Sequence, residues 1–250
     1  MPEKILFISA ANLTVNPRIL KELKFAIQLG YKVDFVGFNS RNWSDKIDEK
    51  LIKNINANFH YISITRKPIV KWFVNSIIEK ISKKIYPTFR NSMKINAYAH
   101  SKRSVLLNNY LQKNTKKYNL IIAHTLPTLY PAYKFAKKTN TKFIFDIEDY
   151  HPGEVVASDE ENEKARRVFL MQNLLPKASF LTYASPLIGE YSLKLLENYP
   201  SNQHKLINNC FSQTEFQFKE NNSGKIKFVW FSQNISQGRG LELVIPALAK

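Results

Sequence analysis

Phe143-Ile-Phe145 runs directly into Asp146, Glu148 and Asp149, and His151 and Glu154 follow a few residues later. Ligands of open α/β sheets lie beyond the carboxyl ends of the strands. An apolar strand that empties into three carboxylates and a histidine is therefore the first place to look for a polar substrate. A solvated acidic loop ahead of a helix has the same composition, so the residues alone leave both readings open. A second apolar run, Tyr118 to Ala123, ends in His124. Aspartate and histidine at such positions also suit a divalent ion, but the spacing matches no metal motif.

The elements around these residues can be read from periodicity. Lys4 to Ser9 is a short apolar run and predicts a first buried strand. Ala10 to Asn16 is a loop; Asn16 can cap a helix and Pro17 fits its first turn. Ile19, Leu20, Leu23, Ala26 and Ile27 then recur at helical spacing until Gly30, and Tyr31 to Phe38 is a second strand. Strand, helix and strand in this order make a βαβ unit and predict a parallel sheet. Further strands are expected at 58–64, 118–124, 141–146, 180–183 and 205–209. Helices are expected at 69–85, 91–112, 130–138, 160–175 and 185–197. The fold class is α/β, a Rossmann-like, mostly parallel sheet flanked by helices. The first loop holds no glycine, so neither a dinucleotide fingerprint nor a P-loop is present. No Gly-x-Ser-x-Gly elbow occurs, which argues against an α/β-hydrolase. Missing barrel repeats argue against a glycosidase built on paired carboxylates.

The 250 residues suffice for a sizeable core. Residues 213–224 are polar and irregular and read as a linker between a domain at 1–212 and a new strand and helix at 225–250. One strand and one helix do not bury a core, so the second piece is expected to be an incomplete domain. Cys210 is the only cysteine, which excludes an internal disulfide and a cysteine-rich zinc site. No run of about 18 apolar residues exists to cross a bilayer, and the N-terminus has no signal-peptide layout. The expected location is cytoplasmic, with peripheral contact on the inner membrane face.

The net charge of +17 is unevenly spread. Between Glu49 and Asp146 the only acid is Glu79, whereas Asp146 to Glu163 holds eight acids and no lysine or arginine. The basic region 66–117 suggests a polyanionic partner. In Ile69 to Ile85, Val70, Phe73, Val74, Ile77, Ile78, Ile81 and Ile85 share one helical face flanked by lysines. That stripe fits core packing or an anionic membrane surface. Aromatic residues interleave with the basic ones as stacking platforms do, but no nucleic-acid motif accompanies them, and no nucleic acid is expected.

In order, these stretches resemble the family-4 glycosyltransferases, retaining enzymes of the two-Rossmann-domain GT-B fold. The resemblance rests on Asn16-Pro-Arg18 with Leu29 to Val33, on Tyr118 to His124, on Phe143 to Glu154, and on Lys205 to Asn209 with Phe216. Val229 to Gln233 and Gly238-Arg-Gly-Leu-Glu242 are similar to the opening of the family's nucleotide-sugar domain. The first loop departs from the family pattern, with Ala10-Ala-Asn-Leu in place of a glycine-bearing loop. The resemblance implies transfer of a sugar from a nucleotide-sugar donor to a glycan or lipid-linked acceptor, in cell-envelope polysaccharide synthesis, without metal or other cofactor. It implies catalytic roles for Glu148, Asp149 and His151, and acceptor binding by Asn16, Arg18, His124 and Asp146. It implies donor binding by Gly238, Arg239 and Gly240, where the guanidinium offers a fork of donors to a diphosphate. The family's Glu-x7-Glu pair would fall beyond Lys250, so the chain reads as the acceptor half and is expected to be inactive alone.

Overall fold

The computed structural model describes residues 3–65, 69–156, 158–210, 224, 228–232, 235 and 237–249, with the side chain of Lys71 left out. The chain divides into two compact units, Met1–Asn209 and Cys210–Lys250.

The first unit holds one parallel sheet of β1 (Lys4–Ser9), β2 (Lys32–Asn39), β3 (Asn58–Ser63), β4 (Leu120–His124), β5 (Lys142–Ile147), β6 (Phe180–Tyr183) and β7 (His204–Leu206). Their order is β3-β2-β1-β4-β5-β6-β7. Around it lie α1 (Pro17–Gln28), α2 (Trp43–Ile52), α3 (Ile69–Ile85), α4 (Met93–His100), α5 (Lys102–Lys113), α6 (Leu126–Thr139), α7 (Glu160–Leu174) and α8 (Pro186–Leu193). This is an α/β Rossmann-like architecture. The unbroken apolar run of β1 is explained by two cores. Ile5 and Phe7 pack with Leu13, Ile19, Leu23 and Phe35 on one side. Leu6 and Ile8 pack with Phe38, Ile121, Phe135 and Phe145 on the other. Burying each such side chain contributes roughly 1.5–3 kcal/mol.

The loop after β1 is fixed at both ends. Phe38 N–H donates to Ala11 O at 3.2 Å, and a Cβ on Gly37 would lie 2.6 Å from that carbonyl oxygen. Only glycine lets the loop cross β2 so closely. Asn16 accepts from Ile19 N–H at 3.2 Å, and Pro17 fills the first turn of α1. Gly30, at φ +86°, ends the segment.

Several elements differ from the sequence expectation. Helix α2 was not signalled, because its buried face is Ser44, Asp45 and Asp48 rather than an apolar stripe. Those side chains instead bind Asn12 and Thr14 in the first loop. The expected helix 91–112 is two helices. Ser101 closes α4 in an extended conformation, and its hydroxyl caps α5 by accepting from Arg103 N–H at 3.2 Å. Helix α6 starts at Leu126, not 130, because Pro127 suits a first turn. Pro131 inside it cannot donate to the Pro127 carbonyl, and the Ser104 hydroxyl donates there instead at 2.8 Å.

In α3, Asn75 and Ser82 face the protein, while Val70, Phe73, Val74, Ile77 and Ile81 are exposed. Of the expected stripe only Ile78 and Ile85 are half-buried, Ile78 against the main core; the other five side chains are not core. No helix among the described residues is long and apolar enough to cross a membrane.

In the second unit, residues 228–232 are not in a strand, contrary to expectation; 225–227, 233 and 234 lie outside the described residues, as do Phe216 and most of the expected linker. Helix α9 (Leu241–Leu248) matches the expected helix start.

Candidate functional site

The strand order reverses between β1 and β4, and a sheet of this kind binds its ligands in the crevice beyond the carboxyl ends at that point. Ser9, His124 and Asp146 stand in one register row there. Helix α1 begins just beyond β1 and brings Asn16, Arg18 and Glu22 against the same row.

The side chains interlock. Arg18 grips Asp146 with two nitrogens, Nη2 to Oδ1 at 2.8 Å and Nε to Oδ2 at 2.5 Å, and donates to Ile207 O. Thr182 at the end of β6 also donates to Asp146. His124 Nδ1 lies 2.9 Å from Glu148 Oε1 and 3.3 Å from Asp146 Oδ2, and its Nε2 lies 3.1 Å from Glu22 Oε2. Asn16 Nδ2 donates to Glu148 Oε1 at 2.8 Å. His124 and Asp146 are wholly buried, whereas the side chains of Glu148 and Glu22 keep 16% and 26% of their surface open. Acceptor-site expectations for Asn16, Arg18, His124 and Asp146 therefore fall on residues that hold one another, with Glu148 and Glu22 as the carboxylates that reach solvent.

Burial opposes a charged imidazole at His124, but hydrogen bonds to Asp146, Glu148 and Glu22 outweigh it and hold the pKa well above the usual value. Burial likewise opposes an ionised Asp146, and the bonds from His124 and Arg18 win, holding its carboxyl far below the usual range. Three carboxylates against one guanidinium and one imidazolium leave the cluster with one net negative charge. Glu22, His124 and Asp146 are close enough together to share a cation, within 4.8 Å. A protonated histidine offers two donors and no lone pair, so in this state the group suits hydroxyl donors better than a metal ion.

A second group follows in the same loop. His151 Nδ1 lies 2.7 Å from Glu154 Oε1, and its Nε2 is buried with no partner among the described residues. A carboxylate only accepts, so in the Glu154 contact His151 donates from Nδ1. Asp149 is exposed and joined to His151 through the backbone, His151 N–H donating to Asp149 O at 3.0 Å. Partial desolvation, with Glu154 and Glu148 adding to it, raises the Asp149 carboxyl pKa against the opposing pull of His151. Behind the loop, α7 supplies buried Arg166 and Arg167. Arg167 Nη1 donates to His151 O at 2.7 Å, and both guanidiniums pair with Glu163. His100 contacts Glu163 too. A cavity of about 300 Å³ opens beside these residues, lined by Lys83, His100, Asp159, Glu163, Arg166 and Arg167.

In the second unit, Gly238 and Gly240 have φ of +79° and +90°. Arg239 between them is exposed, and its carbonyl accepts from Trp230 Nε1 at 3.0 Å. The Gly238 amide donates to Glu242 at 2.6 Å. The Glu242 carboxylate thus occupies a backbone amide of the loop for which the resemblance implies a donor diphosphate.

No family model matches the chain, and no curated protein does either. Among solved structures, it is similar to Anabaena HepE in complex with UDP and glucose, at 12% identity and a TM-score of 0.49 over 84% of this chain. It is also similar to the UDP-GlcNAc 2-epimerase of Methanocaldococcus jannaschii, at 13% identity, a TM-score of 0.44 and 81% coverage. The sucrose-phosphate synthase of Thermosynechococcus elongatus gives 14% identity, 0.45 and 82%. The matched parts make up 45%, 45% and 48% of those chains, so this chain spans about half their length. At these scores the likeness bears on neither residues nor reaction.

Two residues of the cluster went unread in the sequence. Glu22 stands four residues after Arg18, the spacing that puts an acid and a base on one helix face, and that spacing was available as a signal. Thr182 looked like any strand residue; only the pairing of β6 with β5, Asp146 opposite Thr182, reveals it. Two cavities among the described residues, of about 540 and 590 Å³, lie away from the cluster's centre. The first runs along α1 past Phe25 and Leu29 and meets the cluster only at Glu22, and the second lies near Gly30 and Asn58.

Proposed function

We propose that the chain is the acceptor-binding part of a family-4, GT-B glycosyltransferase. It would move a sugar with retention from a nucleotide-sugar donor to a glycan or lipid-linked acceptor, in cell-envelope polysaccharide synthesis and without a metal. The observation that carries this reading is the convergence of Asn16, His124 and Glu148 at the switch between β1 and β4. Two partly exposed carboxylates, Glu148 and Glu22, thus border the crevice beyond the strand ends, and this supports a polar ligand there.

In this reading Glu148 accepts from a sugar hydroxyl, and Asn16 and His124 hold it in place. Exposed Asp149 orients the attacking hydroxyl, with buried His151 behind it in the same loop. The hydroxyl oxygen bonds the anomeric carbon as the bond to the diphosphate breaks, and the hydroxyl proton passes to the departing diphosphate oxygen. Holding the hydroxyl close to the anomeric carbon, on the face from which the diphosphate departs, supplies much of the acceleration in such transfers. Arg18 and Asp146 keep the floor of the crevice rigid. Residues 1–212 form the acceptor domain, 213–224 the linker, and 225–250 the start of a donor domain. There Arg239 between Gly238 and Gly240 meets the leaving diphosphate.

A thermal-shift screen of the whole chain against UDP-, GDP-, ADP- and dTDP-sugars, with and without magnesium, tests the donor side. A ligand that binds only the folded state raises the melting temperature. The expected result is a magnesium-independent rise with one nucleotide, lost in Arg239→Ala. A rise that survives this change, or no rise with any nucleotide, contradicts a donor site at Gly238–Gly240.

A further inference from the structure

Helix α3 packs Ile78 against the core but leaves most of its apolar stripe outside. Its inward side carries Asn75 and Ser82, buried at 4% and 3% exposure. Asn109 Nδ2 donates to Asn75 at 3.4 Å, and Lys102 donates to Ser76, also at 3.4 Å. Its outward side carries Val70, Phe73, Ile77 and Ile81, exposed at 71%, 58%, 37% and 52%. Phe73, Ile77 and Ile81 follow one another at intervals of four residues, which aligns them along one face. Ile69 and Val74 widen it, and Phe89 lies exposed just past the helix end. Soluble chains rarely show so continuous an apolar surface unless something covers it.

The charges identify what covers it. Lys80 and Lys84 are exposed on the same face as Ile77 and Ile81, at three- and four-residue spacing, and Arg90 and Lys94 are exposed beyond it. Glu79, the one acid in the sequence of α3, is already paired with Lys83 at 3.0 Å. We propose that the outward face of α3 seats on an anionic lipid bilayer, with the helix lying in the interface plane. The apolar side chains enter the acyl boundary while the lysine stems follow them and keep their ammonium groups at headgroup level. A second copy of this chain fits the face poorly: pairing two such faces puts Lys80 and Lys84 of both copies into one apolar contact, and α3 brings no acid to it but Glu79, which Lys83 already holds. A protein surface would have to supply carboxylates at two places within an apolar contact; an anionic headgroup layer supplies negative charge everywhere. At 17 residues α3 is suited to lying on a bilayer rather than crossing it. The inference stands apart from the sugar-transfer reading, and either can fail alone.

Co-sedimentation of the whole chain with vesicles of phosphatidylcholine, alone or mixed with phosphatidylglycerol, tests it. Binding is expected to the anionic vesicles, to fall as salt is raised, and to be at least tenfold weaker to the neutral ones. Lys80→Gln with Lys84→Gln should lower the partition coefficient roughly thirtyfold, since each basic residue near the surface contributes about 1 kcal/mol. Phe73→Ser with Ile77→Ser should lower it roughly tenfold or more. All four side chains are exposed, so circular dichroism should show an unchanged fold. Equal pelleting with both vesicle types, pelleting with neither, or variants that bind like the parent would overturn the proposal. So would light scattering that shows a dimer dissociating in Phe73→Ser/Ile77→Ser.

Discussion

Asp146→Ala should lower folding stability by about 3–5 kcal/mol, the range seen when one partner of a buried ion pair is removed. The carboxylate is fully buried and receives Arg18 through two nitrogens, Thr182 through its hydroxyl and His124 at 3.3 Å. Without it the guanidinium loses its main partner in a place water does not reach. For a chain of this size the melting temperature should fall by on the order of 10 °C. Asp146→Asn keeps the volume and some hydrogen bonding, so it should fall in between. The pH dependence follows from two opposite shifts. Asp146 is held below its ordinary value, so its contribution is complete above about pH 4, the ordinary carboxylate range, and is lost as pH drops toward the folded value. His124 is held above its ordinary value, so its contribution is complete below that value, 6.5, and is lost as pH rises through the folded one. Urea unfolding from acid to alkaline pH should show a plateau bounded on both sides, and Asp146→Ala should weaken both edges. An alanine variant as stable as the parent would mean that the cluster is not a structural support.

Glu163→Gln is expected to have the second-largest effect. This side chain, 6% exposed, answers two guanidiniums and an imidazole at once: Arg166 through Nε and Nη2, Arg167 through Nε, and His100. Burial would raise its pKa, yet the bonds from His100 and Arg166 bring it from 4.5 down to about 2. A carboxyl with a depressed folded pKa stabilises above its unfolded value and ceases to do so as pH falls from 4.5 toward 2. At neutral pH the glutamine variant should be less stable by about 3 kcal/mol or more. The two proteins should converge as the pH approaches 2, where the parent's carboxyl is itself protonated. Arg167 also donates to the His151 carbonyl, so the loop bearing Asp149 and His151 should loosen, seen as faster amide exchange there. Parallel pH curves for parent and variant would show that Glu163 does not carry the acid sensitivity.

Much of the scaffold could be read from the chain, because strands buried on both faces leave unbroken apolar runs such as Ile5 to Ile8 and Phe143 to Phe145. Asn16-Pro17 and Gly30 marked the ends of α1 for reasons of hydrogen bonding and backbone freedom alone. What escaped was polar architecture. Helix α2 turns Ser44, Asp45 and Asp48 inward, and α3 turns Asn75 and Ser82 inward, so hydrophobic periodicity misses the first and misplaces the second. Ser101 both ends one helix and caps the next, a junction that a continuous helical pattern conceals. At the site, the acidic loop after β5 and the histidine ending β4 stood out by residue type. Their joining did not, since it depends on the parallel pairing of β4 with β5 and on Arg18 and Glu22 arriving from α1. Residue type also pointed equally to Asp146 and Glu148, whereas burial separates them: one is the anchor of Arg18, the other faces the crevice.

The central claim is that a sugar-bearing ligand enters the crevice between β1 and β4. A titration of the 15N-labelled whole chain with the methyl glycosides of glucose, N-acetylglucosamine and mannose as acceptor probes, followed by amide chemical shifts, tests it most directly. The account predicts saturable shifts with at least one of them at residues 10–16, at Thr125 and at residues 148–154, abolished in Glu148→Gln while the fold is retained. Shifts confined to the cavity beside Phe25 and Leu29, shifts that persist in Glu148→Gln, or no saturable shift with any of the three would contradict it.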